Sequence, residues 1–324
     1  MLIRVRATSI QARLLAVVAA TLLALSSFQV WPQPGSAAGL SPARLAVLDE
    51  AIQAEVERGR VAGMVVAIAR HGRVVHNKAY GYANRESGEA MTTDHLFRLY
   101  SMTKPVASVA LLTLYEQGHF QLTDPLDRYI PGFRDLQVFA GLDDDGDMIL
   151  KAPARRPTIQ DAFRHTLGLA SGLGQHPVDA IYREQGLAME RLESLSAEIE
   201  KLGQVPLVYE PGERWLYGLG HDVQAYLVEH FSGMPYGEYL QQAIFDPLGM
   251  HDTMFGVPEE HARRFARVYE PDGDGGLHPE AVDGYARYTD HHFGTLSLSS
   301  STDDYLTFAR MLLNGGELNG VRIL

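Results

Sequence analysis

The chain of 324 residues contains no cysteine. That one absence excludes disulfides, thiolate zinc sites and a cysteine nucleophile. Lysine is scarce, with only four in the chain, and the formal net charge is -12. Phosphate binding needs a basic face, so nucleic acid is excluded as a main partner, and the acidic surface reads as a solubility device. No Gly-x-Gly-x-x-Gly, phosphate loop or His-Glu-x-x-His occurs. Among 13 histidines, His291 and His292 are adjacent rather than four apart, so a helical zinc pair is not expected. The run Asp143-Asp144-Asp145-Gly146-Asp147 has its glycine misplaced for an EF-hand and lacks the twelfth-position Glu, so it reads as a solvated loop. Nothing in the chain calls for a cofactor or a metal.

What is present is a chain with 46% hydrophobic residues, suited to a packed core. The first 38 residues stand apart. Arg4, Arg6 and Arg13 precede an apolar run at 14–25, and Ser36-Ala37-Ala38 offers a small-residue cleavage site. This is the layout of a signal peptide, and the run is too short to span a bilayer comfortably. An exported chain, periplasmic or secreted, with no stable membrane span and a single domain over 39–324 is the expectation.

Along that domain, Ser41-Pro42 opens a helix and Gly59 stops it, with Leu45, Leu48, Ile52 and Val56 recurring at helical spacing. Residues 64–70 and 73–80 read as a β-hairpin turning at His71-Gly72. A helix is expected from Ser101 to Gln117, with Pro105 tolerated in its first turn and Gly118 as its stop. Thr123-Asp124-Pro125 signals another short helix, 132–157 reads as loop, 158–290 as mainly helical, and 302–313 as a further helix. Only one convincing hairpin emerges, and a lone hairpin is marginal in water. With the apolar ending Val321-Arg322-Ile323-Leu324, this leads to the expectation that further sheet strands belong beyond residue 324.

The chemistry centres on Ser101-Met102-Thr103-Lys104. On a helix, positions three apart share a face, so hydroxyl and amine can meet. A serine attacks a carbonyl only after a base takes its proton, and a lysine can act as that base where its surroundings favour the neutral amine. A helix N-terminus also favours negative charge on the serine oxygen. On spacing alone, the pattern fits a surface lysine on an ordinary helix equally well.

The surrounding stretch, Phe97-Arg98-Leu99-Tyr100-Ser101-Met102-Thr103-Lys104-Pro105, resembles the first motif of the serine β-lactamase and penicillin-binding-protein superfamily, in its class C and family VIII carboxylesterase branch. Arg164-His165-Thr166-Leu167-Gly168-Leu169 resembles that family's Arg-His-Thr-Ser-Gly-Leu segment. Pro211-Gly212-Glu213-Arg214-Trp215-Leu216-Tyr217 resembles the stretch holding its second motif. Pro247-Leu248-Gly249-Met250-His251-Asp252-Thr253 and Ser301-Thr302-Asp303-Asp304-Tyr305 through Asn314-Gly315-Gly316 are similar to two later signatures. The resemblance covers 41–324, with its pieces in order. It implies a mixed α+β fold: an antiparallel sheet flanked by helices, plus a mainly helical region at 119–290.

The resemblance also implies roles. Ser101 would be the nucleophile and Lys104 its partner. Tyr217 would take the serine proton and later protonate the leaving group, whereas read without the family it is a core tyrosine beside Trp215. His165 reads as structural. Departures are as informative. The family's Tyr-x-Asn is here Tyr217-Gly218-Leu219, and Leu219, expected to face substrate, cannot hydrogen-bond an amide. Leu167 replaces a Ser, and Gly294-Thr295-Leu296-Ser297-Leu298 is rougher than the family's glycine run. The last motif has no counterpart, because Lys201-Leu202-Gly203 precedes the second motif and His292-Phe293-Gly294 precedes the 302–313 helix. In the family its strand gives one oxyanion-hole N–H and the nucleophile gives the other. Three readings follow: a serine hydrolase forming an acyl-enzyme on small carboxylic esters; a β-lactamase or D-amino-peptide hydrolase; and a non-catalytic or truncated penicillin-binding-like protein.

Overall fold

The computed structural model describes residues 38–187, 194–273, 275–280 and 292–324. The segment read as a signal peptide lies outside them, apart from Ala38. Among the described residues, no helix is long and apolar enough to cross a membrane.

Helix α1 (Pro42–Glu57) begins with Pro42 in its first turn. Ser41 holds the N-cap position in extended backbone, but its side chain makes no capping bond. Strands β1 (Gly63–Arg70) and β2 (Arg73–Asn84) form the expected hairpin in antiparallel register from Gly63↔Gly81 to Arg70↔Arg73. The turn works because His71 and Gly72 are both left-handed, at φ 51° and 73°, which matches the twist of the strands they join. The short β3 (Glu89–Ala90) completes a three-stranded sheet in the order β1-β2-β3.

A second three-stranded sheet leads into Ser101, the residue expected to be the nucleophile. Its central strand is β10 (Leu298–Ser301), with β4 (Leu96–Arg98) on one side and β7 (Met254–Phe255) on the other, both antiparallel. From β4 the chain runs through a 3₁₀ turn, Tyr100–Met102, into α2 (Thr103–Glu116). The helix expected from Ser101 therefore begins two residues later, and Ser101 sits in the tight turn that precedes it.

The expected short helix after Thr123 is replaced by two single 3₁₀ turns, Leu126–Arg128 and Pro131–Phe133. The backbone there is committed elsewhere: Leu126 N–H donates to Pro157 C=O, and Asp124 C=O accepts from Ile159 N–H. The 132–157 stretch is not merely loop. It contains a hairpin, β5 (Val138–Leu142) with β6 (Met148–Lys151). The acidic run is its turn, closed by Asp143 Oδ1, which accepts the N–H groups of Asp145 and Asp147 at 3.0 and 2.9 Å. Exposed Leu142, Ile149 and Leu150 hid these strands by breaking the buried/exposed alternation.

Helices α3 (Ile159–Arg164), α4 (Pro177–Glu184), α5 (Leu195–Leu202), α6 (Gly220–Ser232), α7 (Tyr236–Leu240) and α8 (Asp246–Leu248) bear out the helical character of the middle of the chain. A further hairpin, β8 (Tyr269–Pro271) with β9 (Leu277–Pro279), interrupts it. Asp272-Gly273 and Gly275-Gly276 lie at its turn. Helix α9 runs Thr302–Leu313 as the sequence indicated, because Ser301 Oγ accepts Asp304 N–H and caps it. The chain closes with β11 (Glu317–Leu318) and β12 (Val321–Arg322), a small hairpin. The result is a mixed α/β fold.

The main core forms around α2 and α6. Val106, Ala107, Ala110 and Leu111 of α2 are fully shielded from solvent, as are Val223, Ala225, Leu227 and Val228 of α6. Ser108 donates to Gln224, which donates to Ala162 C=O, so α2, α6 and α3 are tied by polar as well as apolar contact.

Candidate active site

Sheet β4-β10-β7 positions Ser101. Leu99 N–H donates to Leu298 C=O at 2.9 Å, and Thr103 Oγ1 accepts Leu298 N–H at 3.2 Å, so both flanks of the 3₁₀ turn are stitched to β10. Between them Tyr100 adopts φ 45°, a left-handed conformation that is unusual for a non-glycine residue. Such strain costs on the order of 1–3 kcal/mol and persists only where the surroundings enforce it. Here it turns the chain sharply from strand to helix and leaves Ser101 exposed.

Ser101 Oγ and Tyr217 Oη lie 2.5 Å apart, one hydroxyl donating to the other. Lys104 Nζ donates to Ser101 Oγ at 3.1 Å and to Thr295 C=O at 3.0 Å. Its nitrogen also stands 4.7 Å from the centre of the Tyr217 ring. Lys104 is only 5% exposed, and a buried ammonium needs its donors satisfied. Two acceptors and a ring face do that. The three residues expected to act together are therefore brought together, across 116 positions of sequence for the Ser–Tyr pair.

Leu219, the fourth expected site residue, goes elsewhere. It is 4% exposed and packs in the main core at the N-terminal edge of α6. An apolar side chain beside the α2/α6 packing is drawn into the core, and the expectation that it faces substrate is corrected accordingly.

Three groups unassigned by sequence reasoning support the trio. Asp222 is fully buried and accepts from Thr295 twice, from its N–H at 2.8 Å and its hydroxyl at 2.5 Å. It thereby fixes the carbonyl that holds Lys104. His165 stacks on Tyr217, with ring centres 4.8 Å apart and planes at 22°. His221 lies 4.8 Å from His165. Burial, then the Lys104 charge, holds the His165 imidazole below its ordinary pKa. Burial first, then His165 and Lys104, push His221 down to about 3. Both are neutral at pH 7, leaving Lys104 as the cation of the cluster. His165 lay inside a stretch quoted for its family resemblance, and only the fold reveals what these residues touch. Among the described residues, no cluster of acidic or histidine groups forms a metal site.

With this geometry in place, the similarities to known proteins are specific. The family model described as Beta-lactamase matches residues 48–323. The curated protein Rv1367c of Mycobacterium tuberculosis is 33% identical over 273 residues, covering 83% of this chain and 66% of that protein. Esterase EstB of Burkholderia gladioli is 34% identical over 236 residues, covering 72% of this chain and 55% of its own. The solved structure of EstCE1, "a hydrolase with promiscuous acyltransferase activity", superposes with a TM-score of 0.70 at 27% identity, covering 87% of this chain and 76% of that one. The chain thus spans 55 to 66% of the lengths of these two curated relatives.

Proposed function

Since the chain belongs to the Beta-lactamase family, we propose that it is a serine hydrolase that cleaves small carboxylic esters through an acyl-enzyme on Ser101. The observation that carries this is the bracketing of Ser101 Oγ by Tyr217 Oη at 2.5 Å and Lys104 Nζ at 3.1 Å. A nucleophile, a proton acceptor and a cation within hydrogen-bond reach form the constellation that acyl transfer requires.

In this reading Tyr217 reacts as its phenolate beside the Lys104 ammonium and takes the Ser101 proton as Oγ bonds to the ester carbonyl carbon. The carbonyl π electrons move onto oxygen, giving a tetrahedral adduct. That adduct collapses, the C–O bond to the alcohol breaks, and Tyr217 returns the proton to the departing alkoxide. Water then repeats the sequence on the acyl-enzyme and releases the acid. Lys104 supplies positive charge beside each developing anion, and Asp222 keeps it in place through Thr295. Export under the direction of residues 1–38 belongs to the same proposal.

Esters are favoured over lactams because the position that would offer an amide to the substrate is Leu219, an apolar side chain in the core. The name of EstB, an esterase, agrees with this preference. The test is intact mass after exposure to a fluorophosphonate probe, beside Ser101→Ala, followed by turnover of p-nitrophenyl esters and a chromogenic cephalosporin. One adduct on the wild type and none on the variant is expected, with esters turned over faster. No adduct on folded protein would refute the assignment, and faster cephalosporin turnover would establish the lactamase reading instead.

A further inference from the structure

We infer that His165 is a positioning residue for catalysis, a clamp that grips the chain on both sides of Tyr217 and holds its hydroxyl against Ser101. The inference rests on the acyl-transfer reading above.

Three contacts converge on three consecutive residues. His165 C=O accepts Leu216 N–H at 2.7 Å. His165 Nδ1 accepts Gly218 N–H at 3.4 Å. Between them, the imidazole stacks on the Tyr217 ring. One side chain and its own carbonyl thus fix the residue before the tyrosine, the tyrosine, and the residue after it. A phenol on an exposed connection keeps rotational freedom unless something removes it, and Tyr217 is 37% exposed. A hydroxyl contact as short as 2.5 Å tolerates little of that freedom.

His165 is itself held firmly. It terminates α3 in a left-handed conformation, φ 54° and ψ 36°, which histidine tolerates better than most residues. The next residue, Thr166, donates through its N–H to Asp161 C=O and through its hydroxyl to the Asp161 carboxylate. Asp161 is anchored by two contacts of 2.7 Å from Arg155. Trp215 meets the imidazole edge-on at 5.7 Å. The clamp is therefore built from the rigid end of a helix rather than from loop.

The contact to Gly218 demands a lone pair on Nδ1, so the proton of the neutral ring sits on Nε2. The titratable groups facing this ring are Lys104 from α2, Tyr217 from the connection before α6, and His221 from α6. Protonation would turn Nδ1 from acceptor to donor against the Gly218 N–H and add a second cation beside Lys104. Activity should therefore fall as acid protonates His165.

The experiment uses the full chain as wild type, His165→Asn and His165→Phe, with p-nitrophenyl butyrate kinetics across pH, fluorophosphonate labelling and thermal melting. Asn accepts the left-handed backbone and keeps an acceptor but loses the ring. Phe keeps the ring but loses the acceptor. We expect kcat to fall about 10- to 100-fold in each, with KM changed less than about threefold and labelling slowed in parallel. The acid limb of the wild-type kcat profile should be absent from both variants. Two folded variants with kcat within about threefold of wild type would overturn the clamp, as would a KM effect without a kcat effect. Should neither variant melt cooperatively, the wild type decides alone: a kcat that stays flat as the pH is lowered all the way to the onset of acid unfolding overturns the inference. A wild type that neither hydrolyses the ester nor takes the probe at Ser101 overturns the acyl-transfer reading and this one with it, whereas an active wild type with indifferent variants overturns only the clamp.

Discussion

Replacing His221 by Leu should make the protein more resistant to acid while leaving it folded at neutral pH. His221 is 5% exposed, and its Nδ1 has no hydrogen-bond partner. Burial, with His165 and Lys104 adding to it, pushes its pKa from 6.5 to about 3. A histidine whose pKa is lowered on folding binds its proton more readily in the unfolded chain. Above about pH 6.5 neither state is protonated and the residue contributes nothing to the pH dependence. As the pH falls, the unfolded chain takes a proton that the folded protein refuses, and stability drains away until the folded pKa is reached. At about 1.4 kcal/mol per pH unit, this gap costs about 2 kcal/mol at pH 5 and about 4 kcal/mol near pH 3.

For a chain of this size, 1 kcal/mol corresponds to roughly 2–4 °C in Tm. The His221→Leu variant should therefore melt about 4–8 °C above wild type at pH 5, after any constant offset at pH 7.5 is subtracted. His165 is also neutral and half-buried, but it is present in both proteins and largely cancels. Scanning calorimetry at pH 7.5, 6.0 and 5.0 is the assay. Parallel Tm curves for the two proteins across that range would refute the claim that a buried neutral imidazole at 221 couples stability to pH.

Other outcomes follow from the same geometry. A Cβ on Gly218 would lie 2.0 Å from Leu169 C=O and 2.9 Å from Ala170 C=O, so Gly218→Ala must displace the backbone next to Tyr217. Ester turnover should drop about 100-fold, whereas Gly132→Ala, with open space around it, should change stability by no more than about 0.5 kcal/mol. Asp222→Asn keeps one acceptor for Thr295 but loses the charge and one of the two bonds. Urea denaturation should show a loss of about 2–3 kcal/mol, and kcat should fall with it; unchanged kcat would separate Asp222 from the hold on Lys104. Burial pushes the Asp161 carboxyl upward, but Arg155, Thr158 and Thr166 outweigh it and hold its pKa below the ordinary value. Its contribution is therefore present above about pH 4 and lost as the pH falls through the folded value. Asp161→Ala should destabilise by about 3 kcal/mol at pH 7 and flatten the stability curve below pH 4.

How much of this was legible in the sequence depends on the range over which each feature is decided. Helix α9 was read with its bounds, and what fixes them is local: Ser301 caps its start and Gly315-Gly316 follow its end. The β1-β2 hairpin was read because His71-Gly72 is the sort of pair that turns left-handed. The β5-β6 hairpin was missed because its exposed side chains break the alternation by which strands are recognised. At the site, Ser101 and Lys104 are three apart and were found as a pair, and Tyr217 was reached through family resemblance. The hold of Thr295 on Lys104 spans 191 positions, and that of Asp222 on Thr295 spans 73. No periodicity or spacing encodes contacts of that length. The Leu219 error has the same origin, since its place in the sequence motif gave no sign that the core would claim it.

The choice of histidine at 165 and 221 follows from a constraint on charge. The site must bury one cation, Lys104, close to the serine oxygen. The buried carboxylate of Asp222 compensates it through the backbone and hydroxyl of Thr295 rather than by direct contact. A direct carboxylate partner would hold the ammonium charge beside itself and away from the reacting oxygen. Routed through a carbonyl dipole, the compensation leaves the charge facing Ser101. The walls around Tyr217 must then pack closely and offer hydrogen bonds without adding charge. A lysine or arginine there would repel Lys104, a carboxylate would quench it, and a purely apolar ring could not accept the Gly218 N–H. Imidazole held neutral by burial and by Lys104 itself meets all three requirements, so the cation that faces the Ser101 oxygen also keeps its own surroundings uncharged.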